Sequence, residues 1–295
     1  MTRPKRRTLL FVPAIRPRFF ARALGGEADT LIFDLEDSVA APAKEEARRN
    51  LRAWWPADYR GPQELALRVN PADSPFHADD IALLRALRPH SVVLPKAEEA
   101  AEVAALSSQL DEMQHAAERP IEIIPMIETL RGLDHLRDIL AASPRVTALL
   151  VGAEDLVSEM GVARGALAEN PLLDHILIQV ALACHAHRVQ ALGPIHRGYA
   201  SEERLRALEE EALYLRRLNY RGQSAIHPTQ LPVLNRVYDI TPDELARARR
   251  VVALFEESER QGSAVVVQGG EMEDLPSLQA ARALLRYAHE HGFNT

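Results

Sequence analysis

Two carboxylates stand where short apolar runs of this 295-residue chain end, at positions where a side chain could take part in chemistry. Glu128 follows one run directly, and Asp155 stands a few residues after the next run. Carboxylate and water oxygens are the ligands that magnesium prefers, so acids at such positions could help to hold a divalent cation. Each residue also has a structural interpretation, because Glu128 could cap the following helix and Asp155 could be the N-cap of a helix that begins at Leu156.

Further charged side chains follow other apolar runs, and they would meet in one place if those runs are neighbouring strands. These residues are Arg16, Asp34, Glu36, Asp37, Arg68, Lys96, Glu154 and His227. Several carboxylates in one cavity repel one another, and a divalent cation relieves that repulsion. In the alternative interpretation, Arg68 is a buried partner of Glu36. Lys96 would then be a solvated loop residue and His227 a turn residue.

The elements that would position these residues alternate regularly along the chain. Eight apolar runs read as strands: Thr8–Val12, Thr30–Asp34, Leu65–Val69, Ser91–Leu94, Ile121–Ile127, Ala148–Gly152, Val189–Leu192 and Gln223–Ile226. Stretches of helical length separate them, and such alternation is typical of a parallel sheet buried on both faces. Eight repeats predict an α/β fold, a closed TIM (β/α)₈ barrel whose active site lies at the carboxyl ends of the strands. An open, doubly wound sheet is the alternative.

The last part of the chain reads as an extension to the barrel. We place the catalytic barrel domain at residues 1–240 and a C-terminal helical extension at residues 241–295. Thr241 and Glu244 form the pattern of a capping box at the start of a helix that should reach Arg260. A final helix should begin near Pro276. We expect this extension to pack on the barrel or to reach a neighbouring subunit.

Composition limits the class of protein. The chain is 47% hydrophobic and 26% charged, and its formal net charge of −7 argues against a nucleic-acid partner. Cys184 is the sole cysteine, so no intrachain disulfide can form, and no apolar segment approaches the length of a membrane helix. His185 and His187 do not face each other on a helix, which disfavours a zinc site. We therefore expect a cytoplasmic protein with no membrane partner.

Eight motifs stand in an order that is typical of one enzyme family. They are Thr8–Ala14 (TLLFVPA), Arg16–Pro17, Leu31–Val39 (LIFDLEDSV), Arg68–Asn70, Leu94–Lys96, Ile127–Gly132 (IETLRG), Gly152–Leu156 (GAEDL) and Ala225–Pro228 (AIHP). Together they resemble the citrate lyase beta-subunit branch of the HpcH/HpaI aldolase family. The resemblance covers nearly the whole chain, and it implies a TIM barrel with Mg²⁺ at its mouth.

The resemblance also implies roles for individual residues. Glu128 and Asp155 would be the metal ligands, with waters and substrate completing the octahedron. Arg68 would bind the oxo-acid part of the substrate and stabilise the developing enolate. Glu36 and Asp37 would hold a metal-bound water and Arg68.

Three more residues receive roles by the same resemblance. Arg16 and Lys96 would lie near the entrance, where related enzymes meet a phosphate-bearing acyl carrier. The segment Gly269–Pro276 resembles one whose aspartate acts as acid/base in malyl-CoA lyases, in a neighbouring subunit's site, and that position here is Asp274. Glu271 stands where the family usually has a lysine, which leaves the behaviour of this segment open.

One segment departs from the family pattern. The family commonly has an aspartate-rich stretch after the seventh strand, whereas this chain has Ala191–Tyr199 (ALGPIHRGY) with His196 and Arg197. The departure leaves open a free acid or a different acyl group as substrate.

The predicted activity is Mg²⁺-dependent cleavage of a β-hydroxy acyl thioester of the malyl-CoA, citramalyl-CoA or citryl type, giving a 2-oxo acid and an acyl thioester. Two alternatives stay open: a thioesterase acting on the same acyl-CoA substrates, and a non-catalytic acyl-binding subunit. Members of the branch usually form trimers or hexamers, so a homo-oligomer is expected.

Overall fold

The computed structural model describes residues 3–56, 59–113, 119–165, 169–260, 266–268 and 271–293. The chain divides into two compact units, one of Arg6–Tyr238 and one of Met1–Lys5 with Asp239–Thr295. None of the described helices is long and apolar enough to span a membrane.

The first unit is a closed barrel of eight parallel strands, which confirms the predicted fold. The strands are β1 (Thr8–Pro13), β2 (Thr30–Asp34), β3 (Glu64–Arg68), β4 (Ser91–Leu94), β5 (Glu122–Ile127), β6 (Ala148–Val151), β7 (Gln190–Gly193) and β8 (Gly222–Ala225). Each strand pairs with the next, and β8 returns to β1 with Ser224 opposite Leu9. The open-sheet alternative is therefore wrong, because β1 has a partner on both sides.

Helices surround the barrel and connect successive strands. They are α1 (Phe20–Leu24), α2 (Lys44–Trp54), α3 (His77–Leu87), α4 (Ala100–Met113), α5 (Leu130–Asp134), α6 (Leu136–Ala141), α7 (Ala153–Glu159), α8 (Pro171–His187), α9 (Glu202–Arg217) and α10 (Leu231–Tyr238). Short 3₁₀ turns precede α1, α2 and α10.

Successive side chains of each strand point to opposite faces, so the barrel has two apolar layers. Residues such as Leu10, Leu31 and Phe33 pack outward against the helices. Residues such as Leu9 and Ile32 fill the barrel interior. Both sets are buried, which explains why the strands read as continuous apolar runs rather than alternating ones.

Arg6 closes the amino-terminal end of the barrel. Its guanidinium donates to both oxygens of Glu64, at 2.8 and 2.6 Å, and to Glu122 Oε2 at 2.6 Å. Arg6 is only 1% exposed, and a Cβ at Gly222 would lie 1.7 Å from its carbonyl oxygen, so only glycine fits there. Burial alone would raise the pKa of Glu122, but the charge of Arg6 lowers it to about 2.

The second unit contains α11 (Pro242–Arg260), the antiparallel strands β9 (Val266–Gln268) and β10 (Glu271–Glu273), and α12 (Leu275–Glu290). The predicted capping box is present, since Glu244 N donates to Thr241 Oγ1 at 3.2 Å and Thr241 N donates to the Glu244 carboxylate at 2.8 Å. The amino terminus joins this unit because Arg3 N donates to Glu290 O at 2.7 Å. The sequence pattern gave no sign of that contact.

We expect Arg6→Gln to lower the free energy of unfolding at pH 7 by about 3–5 kcal/mol, because it leaves the buried Glu64 carboxylate without its cation and removes one of the two arginines bonded to Glu122. Glu122 has a folded pKa of about 2, below its ordinary value of 4.5, so its stabilisation is present above about pH 4.5 and is lost as the pH falls toward 2. Urea denaturation between pH 2 and 7 should show a steeper acid loss for the wild type than for Arg6→Gln. Parallel pH profiles, or a variant as stable as the exposed control Arg85→Gln, would contradict this account.

Candidate active site

A cavity of about 400 Å³ opens at the carboxyl ends of the barrel strands. The charged residues that line it are Asp34, Asp37, Arg68, Glu128, Glu154 and Asp155, and the apolar ones include Phe11, Pro13, Met126, Leu150, Ile195 and Ile226. Its size is within the range of small-molecule sites. The predicted clustering of charges at this end of the barrel is therefore observed.

Arg68 is held rigidly in the cavity wall. Its Nε and Nη2 donate to the two oxygens of Asp34 at 2.7 and 2.8 Å, and its guanidinium lies over the ring of Phe11 at 4.8 Å. Asp34 and Arg68 are register partners at the ends of β2 and β3, which places the two groups side by side. Burial disfavours the charged form of Arg68, but the negative charge of Asp34 favours that form more strongly. The pKa of Arg68 therefore lies above its usual value.

Asp34 is fully used by these contacts. Besides the two bonds from Arg68, its oxygens accept from Glu36 N at 2.9 Å and Ser38 N at 3.1 Å. Burial would raise the pKa of Asp34, but the charge and hydrogen bonds of Arg68 hold it below its usual value. A carboxylate with four donors is a fixed anion, so Asp34 orients Arg68 and has little left to offer a metal ion.

Glu36 joins Arg68 to the neighbouring loop. Its Oε2 lies 3.1 Å from Arg68 Nη1, and its Oε1 accepts from Lys96 Nζ at 2.5 Å. The buried ammonium of Lys44 donates to the carbonyl oxygens of Leu35 and Glu36, at 2.7 and 2.8 Å, and so fixes this loop from behind. Burial raises the pKa of Glu36 despite the opposing charge of Arg68.

Glu128 is a buried acid with no side-chain cation bonded to it among the described residues. Its Oε1 accepts from Lys96 N at 2.7 Å, and its side chain lies against Gly152, where a Cβ would approach Oε2 to 2.5 Å. Burial, reinforced by the charges of Glu36 and Asp155 and opposed by Arg68, raises the pKa of Glu128 to about 8. The helix-cap interpretation of Glu128 is wrong, because Thr129 Oγ1 caps α5 by accepting from Gly132 N at 3.1 Å.

Asp155 lies in the first turn of α7 and faces the same cavity. The N-cap of α7 is Gly152, so the N-cap interpretation of Asp155 is wrong as well. Its carboxylate has no hydrogen bond or ion pair with any residue that the structure describes. Glu128 and Asp155 line the same cavity, and the negative charge of Asp155 helps to raise the pKa of Glu128.

These two acids fit a hard divalent cation. The ionised form of Glu128 has no cation bonded to it, and Asp155 has unused oxygens in the same cavity, so a divalent cation would stabilise both carboxylates. Within the described part of the chain, no group of three or more His, Cys, Asp or Glu residues converges on one point. The protein would therefore supply two carboxylates and leave the other positions to water and substrate, as is usual for magnesium.

The remaining predicted residues lie in different settings. Lys96 is bound to Glu36 and adopts a left-handed φ of 47°, so it is more constrained than a solvated loop residue. Arg16 is exposed and is not part of the cavity lining. His227 caps the 3₁₀ turn Pro228–Gln230, in agreement with its interpretation as a turn residue. Asp274, in the second unit, is the N-cap of α12 and accepts from Ser277 N at 3.2 Å.

Two groups in the site had no assigned role in the sequence. One is Asp34, which strand register alone could have paired with Arg68. The other is Glu154, whose Oε1 lies 3.3 Å from Arg164 Nε and whose Oε2 accepts from Arg197 Nη2. Arg197 lies in the segment after β7, so this segment brings a cation to Glu154, the neighbour of Asp155 in the chain.

Comparisons with known proteins agree with this geometry. Residues 7–228 match the sequence profile of the HpcH/HpaI aldolase/citrate lyase family. The chain is 31% identical to L-malyl-CoA/beta-methylmalyl-CoA lyase from Rhodobacter capsulatus, with 96% of this chain and 94% of the relative covered. It is also 31% identical, with the same coverage, to (3S)-malyl-CoA thioesterase from Cereibacter sphaeroides. The crystal structure of protein CitE from Mycobacterium tuberculosis in complex with magnesium, acetoacetate and coenzyme A is similar, with a TM-score of 0.75, 32% identity, and 96% and 97% of the two chains covered.

We expect Glu128→Gln and Asp155→Asn each to weaken Mg²⁺ binding by roughly tenfold or more, because each removes one of two carboxylate ligands. Isothermal titration calorimetry with Mg²⁺ alone measures this directly. Glu159→Gln is the matched control, since Glu159 is on the same helix as Asp155 but its carboxylate accepts from Leu130 N at 2.9 Å. Wild-type affinity in both cavity variants would rule out the proposed ligand pair.

Proposed function

The chain belongs to the HpcH/HpaI aldolase/citrate lyase family, and from that premise we propose that it is a Mg²⁺-dependent carbon–carbon lyase. Its substrate would be a β-hydroxy acyl thioester of the malyl-CoA, citramalyl-CoA or citryl type. The products would be a 2-oxo acid and an acyl thioester. The observation that carries this proposal is the cavity in which an immobilised Arg68 lies beside two acids with unused oxygens.

Glu128 and Asp155 are the proposed metal ligands. A magnesium ion held there would supply a Lewis acid and a template for the hydroxyl and carboxylate of the substrate. Glu36 and Asp37 would orient the surroundings of that ion, and the bond of Glu36 to Lys96 at 2.5 Å supports such a positioning role. Gly152 leaves the space that the Glu128 side chain needs.

Arg68 is the proposed electrostatic catalyst. When the bond between the carbinol carbon and the thioester α-carbon breaks, the hydroxyl gives its proton to solvent water, the carbinol carbon becomes a carbonyl, and the bonding electron pair leaves as the thioester enolate. Asp34 already fixes the guanidinium, so Arg68 can stabilise that charge without reorganising. This is the main advantage of a preorganised site. Arg16 and Lys96 would contribute positive charge for an anionic acyl carrier near the entrance.

Asp274 is the proposed acid that returns a proton to the enolate carbon. The resemblance to malyl-CoA lyases supports this role, and a homo-oligomer would allow Asp274 to act in a neighbouring subunit's site. Asp274 also caps α12 through Ser277 N. A test must therefore separate the cap from the acid.

A thioesterase is the second candidate, because (3S)-malyl-CoA thioesterase is among the similar proteins. Hydrolysis of the thioester would release coenzyme A and the intact hydroxy acid, whereas cleavage of the carbon–carbon bond releases a 2-oxo acid and an acyl thioester. Product analysis with malyl-, citramalyl- and citryl thioesters in the presence of Mg²⁺ separates the two. A protein that binds these thioesters without converting any of them would be the non-catalytic subunit instead.

We expect Arg68→Lys to lower kcat for oxo-acid release by roughly 10²–10³-fold, because an ammonium cannot reproduce the two bonds to Asp34 and the face over Phe11. A coupled assay for the oxo acid measures the rate, and Arg85→Lys on the exposed side of α3 is the control. Equal rates for the wild type and Arg68→Lys would remove Arg68 from the mechanism.

We expect Asp274→Asn to abolish oxo-acid release while leaving Mg²⁺ affinity and the thermal midpoint close to wild type. Asn is as good an N-cap as Asp, so this variant keeps the cap on α12 and removes only the ionisable group. Asp274→Ser keeps the cap in a second way. If both variants retain full activity, Asp274 has only its structural role.

A further inference from the structure

The floor of the cavity is apolar, although its rim is charged. Phe11, Met126 and Leu150 line it from three different strands, β1, β5 and β6. They belong to the group of side chains that fills the barrel interior. Met126 and Leu150 are register partners, and Glu128 follows Met126 by two residues on the same face, so this floor lies directly beneath the metal-binding acids.

The cations around the cavity are already engaged. Arg68 is the one cation among the described lining residues, and its nitrogens contact Asp34 and Glu36. Lys96 is bonded to Glu36, and Arg197 to Glu154. A second carboxylate on the substrate would therefore enter a space that has acidic walls, an apolar floor and no unengaged lining cation. Burying a charge without a partner is strongly unfavourable.

Building on the proposed function, we infer that Phe11, Met126 and Leu150 form an alkyl subsite that selects the substituent on the carbinol carbon of the substrate. The oxo acid released then carries a small uncharged alkyl group, and methyl fits this description. The substrate is a thioester whose hydroxyl-bearing carbon holds an alkyl group and a single carboxylate. A thioester with a carboxymethyl group at that carbon is excluded.

Product affinities test the subsite without turnover. Calorimetry in saturating Mg²⁺ compares pyruvate, glyoxylate and oxaloacetate, which differ only in carrying methyl, hydrogen or carboxymethyl beside the oxo acid. We expect pyruvate to bind at least about fourfold more tightly than glyoxylate, because the subsite buries its methyl group. Oxaloacetate should bind roughly 10²-fold more weakly than pyruvate. Oxaloacetate binding as tightly as pyruvate would overturn the inference.

Leu150→Ala and its neighbour Leu149→Ala form a matched pair of variants. Both residues are buried in β6, but Leu149 packs outward against the helices whereas Leu150 lines the cavity. We expect Leu150→Ala to abolish the preference for pyruvate over glyoxylate and to improve binding of the longer 2-oxobutanoate, while Leu149→Ala keeps wild-type ratios. Leu150→Val makes the same test with less loss of stability. Ratios unchanged in both Leu150 variants would also overturn the inference.

Turnover separates this inference from the proposed function. If no thioester releases an oxo acid but the affinity order of the three oxo acids holds, the lyase proposal fails and the alkyl subsite stands. If the protein cleaves citryl thioesters in preference to citramalyl ones, the lyase proposal stands and the alkyl subsite fails.

Discussion

The mouth of the barrel holds more buried negative charge than its own cations balance, and the site is arranged around that excess. Arg68 is engaged by Asp34 through two hydrogen bonds and by Glu36 through its remaining nitrogen. Glu128 therefore stays buried with no cation bonded to it among the described residues, and its pKa is raised to about 8. Such a carboxylate is stabilised either by a proton or by a divalent cation. A metal ion bound at this carboxylate would therefore relieve a charge imbalance.

The amino-terminal end of the same barrel also pairs an arginine with carboxylates, but there the pairs stabilise the fold. There Arg6 donates hydrogen bonds to Glu64 and Glu122. Thr30 donates a further hydrogen bond to Glu64, and Thr147 accepts one from Arg6. The pKa of Glu122 is driven down to about 2, so this end stays ionised and closed. Stability and reactivity are therefore separated along the barrel axis, as is usual for this fold. The two ends of the barrel use the same residue types. They differ in whether each buried carboxylate is bonded to a cation.

Local sequence patterns were sufficient to predict the strands. They did not predict contacts that depend on the path of a loop. The strands Thr30–Asp34 and Ser91–Leu94 were predicted with their observed bounds because continuous apolar runs mark buried parallel strands. The weak seventh run, predicted as Val189–Leu192, is a strand one residue further on. The contact of Glu154 with Arg197 spans 43 positions, and no local pattern encodes it. The need for glycine at 152 likewise depends on the Glu128 side chain beside it.

The segment after β7 brings a positive charge to one of the acids that line the cavity. Arg197 binds Glu154, and His196 Nδ1 lies 3.3 Å from Glu211 Oε2. Both acids are thereby engaged, whereas the Asp155 carboxylate has no bonded partner among the residues that the structure describes. Fewer unengaged acids near a bound cation would leave more of its coordination positions to water and substrate. The contacts of this segment therefore involve Glu154 and Glu211 and leave the carboxylates of Glu128 and Asp155 untouched.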